Sequence, residues 1–365
     1  MKTITQVAFC LMLCLSLTTQ AQLNTPRGSQ QATVTQRVGT TDISITYSRP
    51  SVNDRDIWGS LVPYGLNDFQ FGTSKAAPWR AGANENTTIS FTHNAKVEGK
   101  AIAAGTYGLH FIVNENNTAT LILSNDSNAW GSYFYNPAND ALRADITTVE
   151  VPHHELLTYE FNDVKANSAT AQLVWEKKAF PFTIEVDVTD IVLSDIRAGF
   201  KGQAGFTRQN WEQAAGYALS NGGDLDEALA WVNNAIEGQF YSQKTFANLQ
   251  LKAQILSRMN RADEAAAVMD EALPMANVLQ VHQYGRTLIA NGDKDKALEV
   301  FKMNAENNKD TWPVHYGLAR GYSAKGDYKT ALKHLRKALA NAPNDASKGN
   351  VQANIDKLEK GEDIN

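Results

Sequence analysis

The spacing of apolar residues changes once along this chain of 365 residues, and the change falls near residue 200. Upstream, apolar and polar side chains alternate. Ile43, Ile45 and Tyr47 are separated by Ser44 and Thr46; Tyr107, Leu109, Phe111 and Val113 form a second run, and Phe182, Ile184, Val186 and Val188 a third. A period of two places one face of an extended segment on a core. Val97-Glu98-Gly99-Lys100, Asn114 to Asn117, Asn125 to Asn128 and Asn162-Asp163 supply the turns between such runs. No amphipathic helical stretch intervenes between about Thr33 and Val192. The expectation is an all-β antiparallel sandwich, with a barrel as the competing closure.

From about Asn210 the period becomes three to four, and the turns become Gly223-Asp224, Gly292-Asp293 and Gly326-Asp327. Glycine can end one helix in the left-handed conformation while aspartate caps the next. Asp224-Leu225-Asp226-Glu227 has capping-box spacing. Gly199, Gly202 and Gly205 interrupt both patterns. The predicted organisation is therefore a β domain over 22–195, a linker over 196–209 and an all-α region over 210–365.

Within the helical region an alanine recurs at Ala228, Ala265, Ala297 and Ala331, at intervals of 37, 32 and 34 residues. Seven residues later stand Ala235, Ala272, Asn304 and Ala338. Small side chains are needed where paired helices approach closely. This pattern resembles the tetratricopeptide repeat, whose unit is about 34 residues. The last unit matches best, with Leu318, Tyr322, Ala331, Ala338 and Pro343 at family positions, and Gly216 and Gly285 take the small-residue position of other first helices. His315 stands where the family prefers Trp, and Asn304 where it prefers Ala. Residues from about Ser347 to Lys360 read as a capping helix. An irregular bundle is the competing reading.

The first half has its own signature. It runs Tyr47-Ser48-Arg49-Pro50-Ser51-Val52, Arg55, Ile57-Trp58-Gly59-Ser60-Leu61-Val62-Pro63-Tyr64-Gly65, then Trp79-Arg80-Ala81-Gly82-Ala83-Asn84 and Thr87-Thr88. Ala104-Gly105-Thr106-Tyr107 and Trp130-Gly131 follow. Together these resemble the domain-of-unknown-function family 2911, over roughly Gln22 to Val188. The resemblance implies an exported bacterial protein, often from Bacteroidetes, and carries no reaction with it. Leu66–Pro78 reads as an insertion relative to that family.

Export is also expected from the first 21 residues. Lys2 precedes the uncharged run Val7–Leu17, and Thr19-Gln20-Ala21 offers small residues before a cleavage point at Gln22. Eleven residues are too few for a spanning helix, which needs about 20. Cys10 and Cys14 are the two cysteines of the chain, and both lie in this segment. Cleavage would leave no thiol for catalysis, zinc ligation or a disulfide. The expected location is periplasmic or extracellular, without a membrane span after cleavage.

Candidate ligand-binding residues are Arg49, Arg55, Trp58, Trp79, Arg80 and Asn84. Arginine presents a fixed fork to carboxylate or phosphate, and tryptophan a face for sugars or cations. The same residues can instead seal the end of a sandwich, and that role is the favoured one. A second aromatic set, Trp130, Tyr133 and Tyr135 near Asn128 and Asn139, has the chemistry of a glycan platform. His153-His154-Glu155 contains adjacent histidines, but on a strand they point to opposite faces, so no metal site is assigned. Neither GxSxG, HExxH nor a phosphate loop occurs, so no catalytic residue or cofactor is assigned.

The formal charge of −5 hides a division: 22–195 carries 12 basic and 19 acidic residues, and 196–365 carries 21 and 20. This balance argues against a nucleic-acid partner bound through bulk charge. Lys329, Lys333, Arg336 and Lys337 share a face of one predicted helix and are read as its solvated back. The functional expectation is a non-enzymatic binding or scaffolding protein whose repeats hold a protein or peptide partner, with envelope glycan as a further ligand of the sandwich. The alternative is an envelope hydrolase with Arg49, Arg80 and Asn84 binding an oxyanion or carboxylate.

Overall fold

A computed structural model describes residues 26–308 and 311–365. The expected export segment, with Cys10 and Cys14, lies outside the described residues. Contacts divide the chain into two units, with the boundary between Val192 and Leu193.

The alternating runs of the first unit are strands. In chain order they are β1 (Gln30–Val38), β2 (Thr41–Arg49), β3 (Thr88–Phe91), β4 (Ala95–Val97), β5 (Lys100–Ile102), β6 (Gly105–Val113), β7 (Thr118–Ser124), β8 (Asp140–Thr147), β9 (Val149–Asn162) and β10 (Ser168–Glu185). One sheet has the order β1-β2-β3-β6-β7-β8 and the other β5-β4-β10-β9. All pairings are antiparallel. Ile45, Leu109, Phe111 and Leu121 of the first sheet share a core with Leu157, Leu173, Trp175, Phe180 and Phe182 of the second.

Strand β10 holds a device that alternation alone does not predict. Its pairing with β9 shifts register on both sides of Glu176, which has a φ of +51°. The bulge reverses the parity of the strand. Odd-numbered Leu173 and Trp175 and even-numbered Phe180, Phe182 and Ile184 therefore all point inward. The expected run to Val188 stops early, because Asp187 accepts a bond from the Asp190 amide (3.0 Å) and starts a helix.

That helix is α1 (Val188–Gly199), followed by α2 (Arg208–Asn221), α3 (Leu225–Ile236), α4 (Phe246–Arg258), α5 (Ala262–Ala272), α6 (Val278–Ala290), α7 (Lys294–Asn307), α8 (Trp312–Ala324), α9 (Tyr328–Ala340) and α10 (Asp345–Glu359). The segment 196–209, expected as a linker, differs from that expectation. It contains the end of α1, a 3-10 turn over Gln203–Phe206 and the start of α2. Leu193 and Ile196 of α1 carry apolar side chains into the helical core, which a solvated linker would not do.

The glycine-aspartate turns behave as capping chemistry requires, with one shift. Gly292 (φ +91°) and Gly326 (φ +80°) are left-handed, whereas after α2 the left-handed residue is Gly222 (φ +76°) rather than Gly223. Asp224 accepts from the Glu227 amide (2.9 Å) and Asp327 from the Thr330 amide (3.0 Å). Ala228, Ala265, Ala297 and Ala331 are all buried. Helix α10, expected as the cap, buries Val351, Ile355 and Leu358.

The two departures from the repeat pattern have local reasons. Asn304 is buried, donates to the Val278 carbonyl (3.1 Å) and accepts from Asn308 (3.0 Å), so the larger side chain satisfies backbone at the start of α6. His315 is buried beside His334, with Nδ1 atoms 3.4 Å apart. Phe301 of α7 fills the space left by glycines of α6 and α8. A Cβ at Gly285 would lie 2.5 Å from its ring, and one at Gly317 2.6 Å. Gly216 in α2 has no such neighbour within 4 Å.

Candidate functional site

The six candidate residues of the sandwich do not converge on one cavity. Arg49, at the end of β2, donates through Nε to the Leu157 carbonyl (3.0 Å) and through Nη2 to Thr158 Oγ1 (2.7 Å). It therefore ties the first sheet to β9 of the second. Arg55 turns back on its own loop and donates to the carbonyls of Val52 (3.0 Å) and Ser51 (2.5 Å). Trp58 and Trp79 join Trp175 in an aromatic cluster. Trp58 meets Trp79 edge-on at 5.8 Å, and Trp79 stacks on Trp175 at 6.0 Å and 16°. The backbone of Trp79 also pairs with Phe111 in both directions at 2.9 Å. These contacts close the core where the Trp58 loop crosses it.

Arg80 and Asn84 do meet. Arg80 Nη1 donates to the Asn84 carbonyl (2.6 Å), and Asn84 Nδ2 donates to the Ser29 carbonyl (3.0 Å). Asn84 has a φ of +60°, a conformation that Asn tolerates better than most residues. The Arg80 guanidinium also lies 5.0 Å from the centre of the Tyr133 ring. The first aromatic set and the second thus touch through one cation–π contact.

Beneath this contact His110 is buried, with Nδ1 3.0 Å from Ser132 Oγ. Burial, reinforced by the charge of Arg80, pushes its imidazole down to about 4. Tyr135 is buried as well, donates to Asp140 (2.7 Å) and accepts from Arg143 (2.6 Å). Burial and the bond to Asp140 raise its phenol above the ordinary value. Tyr133 and Tyr135 are therefore different in kind: Tyr135 is structural, and Tyr133 belongs to a surface group. Phe69 and Phe71 of the 66–78 segment stand edge-on to Tyr133 at 5.7 and 5.3 Å, and Phe71 lies 6.1 Å from Phe134. Phe71 is 63% exposed and Trp130 50%.

His153 Nε2 lies 3.3 Å from Glu155 Oε2, and both side chains are near half exposed. Among the described residues no group of three or more His, Cys, Asp or Glu is arranged to hold a metal ion.

In the helical unit a single frame orders the surface. Counted back from Ala265, Ala297 and Ala331, three positions spaced i, i+4, i+7 fall on one face of each first helix. They are Gln250, Gln254 and Ser257 on α4, His282, Arg286 and Ile289 on α6, and Tyr316, Arg320 and Ser323 on α8. The flanking Leu249, Ala253 and Leu256 point into the core. The face of α4 opens on a cleft of about 1090 Å³ whose lining includes Gln250, Gln254, Ser257, Arg258, Tyr284 and Thr287. Sequence reading singled out the alanines of the second helices and missed this face; the same repeat frame, counted back onto the first helices, locates it.

On α6, His282 stacks on Tyr316 at 5.8 Å and 11°, with Nδ1 3.1 Å from the Pro313 carbonyl. Burial, with the Arg320 charge as the next cause, pushes it down to about 4. Tyr322 packs against the core and stacks on His334 at 5.6 Å, and burial followed by the neighbouring His315 lowers His334 to about 4. Pro343 is exposed beyond α9. Lys329, Lys333, Arg336 and Lys337 are exposed on α9, away from the face just described. Among the described residues no helix is long and apolar enough to cross a membrane.

Comparison with known proteins bears on both units. Residues 29–184 match a family described as protein of unknown function (DUF2911), and residues 312–345, which enclose α8 and α9, match the tetratricopeptide repeat. No curated protein matches the chain significantly. Solved structures that are similar include YrrB, described as a TPR protein with an unusual peptide-binding site, at 16% identity over 45% of this chain and 84% of that one (TM-score 0.30). Another is the C-terminal part of a TPR repeat-containing protein from Cytophaga hutchinsonii, at 15% identity over 48% and 66% (TM-score 0.35). A thermophilic TPR protein of Thermus thermophilus is 17% identical over 47% and 91% (TM-score 0.30). The first unit of this chain is a DUF2911 domain, and the helical unit that follows it carries the tetratricopeptide repeat.

Proposed function

We propose that this is an exported, non-enzymatic binding protein whose helical unit holds an extended segment of a protein partner. The observation that carries this reading is the α4 face and its cleft, lined by Gln250, Gln254, Ser257, Tyr284 and Thr287. Amide and hydroxyl side chains pair with the donors and acceptors of an extended backbone, and Leu219, Met269 and Leu288 in the same lining offer apolar surface to its side chains, a mixture that suits a peptide. Panning a random peptide library against the intact chain tests it. Selected peptides are expected to weaken about tenfold, or about 1.4 kcal/mol, when Gln250 and Gln254 are both replaced by Ala. Peptides that bind the double variant undiminished place the binding elsewhere.

The exposed aromatics of the sandwich support a second ligand. Phe71 and Trp130 present flat apolar faces beside Arg80 and Arg27, a chemistry that stacks on envelope glycan. Titrating envelope oligosaccharides into the intact chain and into Trp130→Ala while following tryptophan emission checks this, and an emission change that is absent, or the same in both, would remove the glycan. Export is read from residues 1–21, and the N-terminal residue of the mature chain, expected at Gln22, checks it.

A further inference from the structure

Residues Gly361–Asn365 do not run out into solvent after α10. Gly361 takes a φ of +80°, its amide bonds the Leu358 carbonyl (3.0 Å), and the Glu362 amide bonds the Lys357 carbonyl (3.0 Å). This is the Schellman arrangement, which reverses the chain. The next three residues then lie along α8. Ser323 Oγ donates to Asp363 (2.6 Å) and accepts from the Ile364 amide (3.2 Å). Arg320 Nη1 donates to the Ile364 carbonyl (3.2 Å) and to Asn365 Oδ1 (3.3 Å), while Asn365 Nδ2 donates to the Arg320 carbonyl (3.1 Å). The Ile364 side chain is only 4% exposed.

Arg320 and Ser323 are the α8 members of the three-position frame. On α4 the equivalent residues, Gln254 and Ser257, line the open cleft. One inner surface is therefore open over α4 and covered over α8, and the cover is a short stretch of this chain: Ser323 and Arg320 bond the amide and carbonyl of Ile364, and the Asp363 and Asn365 side chains bond each other and α8.

Ile364 also joins the apolar cluster that α10 builds through Val351, Ile355 and Leu358, so the segment is held by burial as well as by hydrogen bonds. Beside Asn365 the surface continues into a cleft of about 250 Å³ lined by Gln283, Arg286, Thr287 and Arg320, and Arg320 Nε is buried without a hydrogen-bond partner. Its Nη2 donates to Tyr316 Oη (3.3 Å) and the guanidinium lies 5.0 Å from the centre of that ring, so the group is anchored on α8 while Nη1 holds the segment.

We infer that Gly361–Asn365 is an internal ligand of the inner repeat surface, and that the partner which displaces it is an extended segment of the same chemistry: a carboxylate for Ser323, an apolar β-branched residue, then a polar residue reaching Arg286 and Arg320. The inference rests on the peptide-binding reading above and names the occupant of that surface over α8. Because the segment is tethered, it competes at an effective concentration on the order of millimolar. The surface is masked until a better-matched segment arrives.

The test uses a synthetic peptide with the sequence of Leu358–Asn365 and isothermal titration. The Asp363→Ala, Ile364→Ala double variant, which releases the tethered segment, is expected to bind the peptide about tenfold more tightly than the intact chain, the advantage set by removing a tethered competitor. Adding Arg320→Ala to the released variant is expected to abolish binding. Should the double variant lose helicity by circular dichroism, Asp363→Ala alone replaces it, with the same direction expected. Equal affinity for intact and released chains, no binding to either, or binding that survives Arg320→Ala would overturn the inference. A library peptide that still depends on Gln250 and Gln254 would then leave the peptide-binding reading standing by itself.

Discussion

The DUF2911 domain and the helical unit bury their largest side chains in different ways. In the first, Trp58, Trp79 and the pair Trp175 and Phe180 come from three separate segments, and Trp175 and Phe180 both reach the cluster because β10 is bulged between them at Glu176. In the second, Phe301 of α7 rests on glycines of α6 and α8, its immediate neighbours in sequence. A core built from distant segments is lost or kept as a whole, whereas stacked helix pairs approximate a sum of neighbour interfaces. The difference also bears on function. The sandwich uses Arg49, Arg55, Trp58 and Trp79 to hold itself closed, while the face of α4 opens on a cleft.

The largest expected effect tests that contrast directly. Trp175→Ala should cost about 3–5 kcal/mol and lower hydrogen-exchange protection across all of the sandwich strands. Phe301→Ala should cost a similar amount but lower protection mainly over α6–α9, leaving α2–α4 near their original rates. Equal loss across α2–α9 would break the comparison.

A second expectation concerns acid. His110 in the sandwich and His282 and His334 in the helices are held down to about 4, chiefly by burial, against an ordinary value of 6.5. The unfolded chain takes up a proton near 6.5, and the folded chain does so only near 4. The stability each histidine contributes is therefore fully present above about pH 6.5 and lost as pH falls toward 4. For His110 the loss reaches about 3 kcal/mol, and for the partly exposed His334 less. Urea unfolding at stepped pH checks this, and His110→Gln should flatten the profile of the sandwich while leaving that of the helices unchanged.

The smallest effects lie within the repeats. Gly317→Ala should cost about 1–3 kcal/mol, since its Cβ would meet the Phe301 ring. Gly216→Ala should instead stabilise α2 by up to about 1 kcal/mol, because the site is open and alanine is the better helix former. Thermal melting of the two variants separates them by sign. A destabilising Gly216→Ala would mean that the early repeats pack as tightly as the last one.

Much of the architecture is legible in the sequence. The runs around Ile43 and Leu109 are strands, the glycine-aspartate turns separate helices, and the buried alanines fall where the repeat requires them. The site residues were readable only as types. Arg49, Arg55, Trp58, Trp79, Arg80 and Asn84 stand out as arginines and aromatics in loops, but nothing local says that Arg49 binds the Leu157 carbonyl or that Arg55 folds onto its own turn. The bulge at Glu176 was hidden for the same reason, since register belongs to the pairing with β9 and not to β10 alone. The polar face of α4 escaped because a polar helix face carries no signal unless the repeat frame aligns it with others.

Period and spacing alone decide that this chain is a β domain followed by paired helices, because hydrophobic periodicity is a local property that each segment carries by itself. They also set the frame that places Gln254, Arg286 and Arg320 at one repeat position. Only the folded chain decides which of those positions is free. Asp363, Ile364 and Asn365 form an unremarkable polar end in the sequence, and their contact with Ser323 and Arg320 exists because the turn at Gly361 and the packing of α10 bring them there. That outcome depends on contacts between segments, and no segment encodes it by itself.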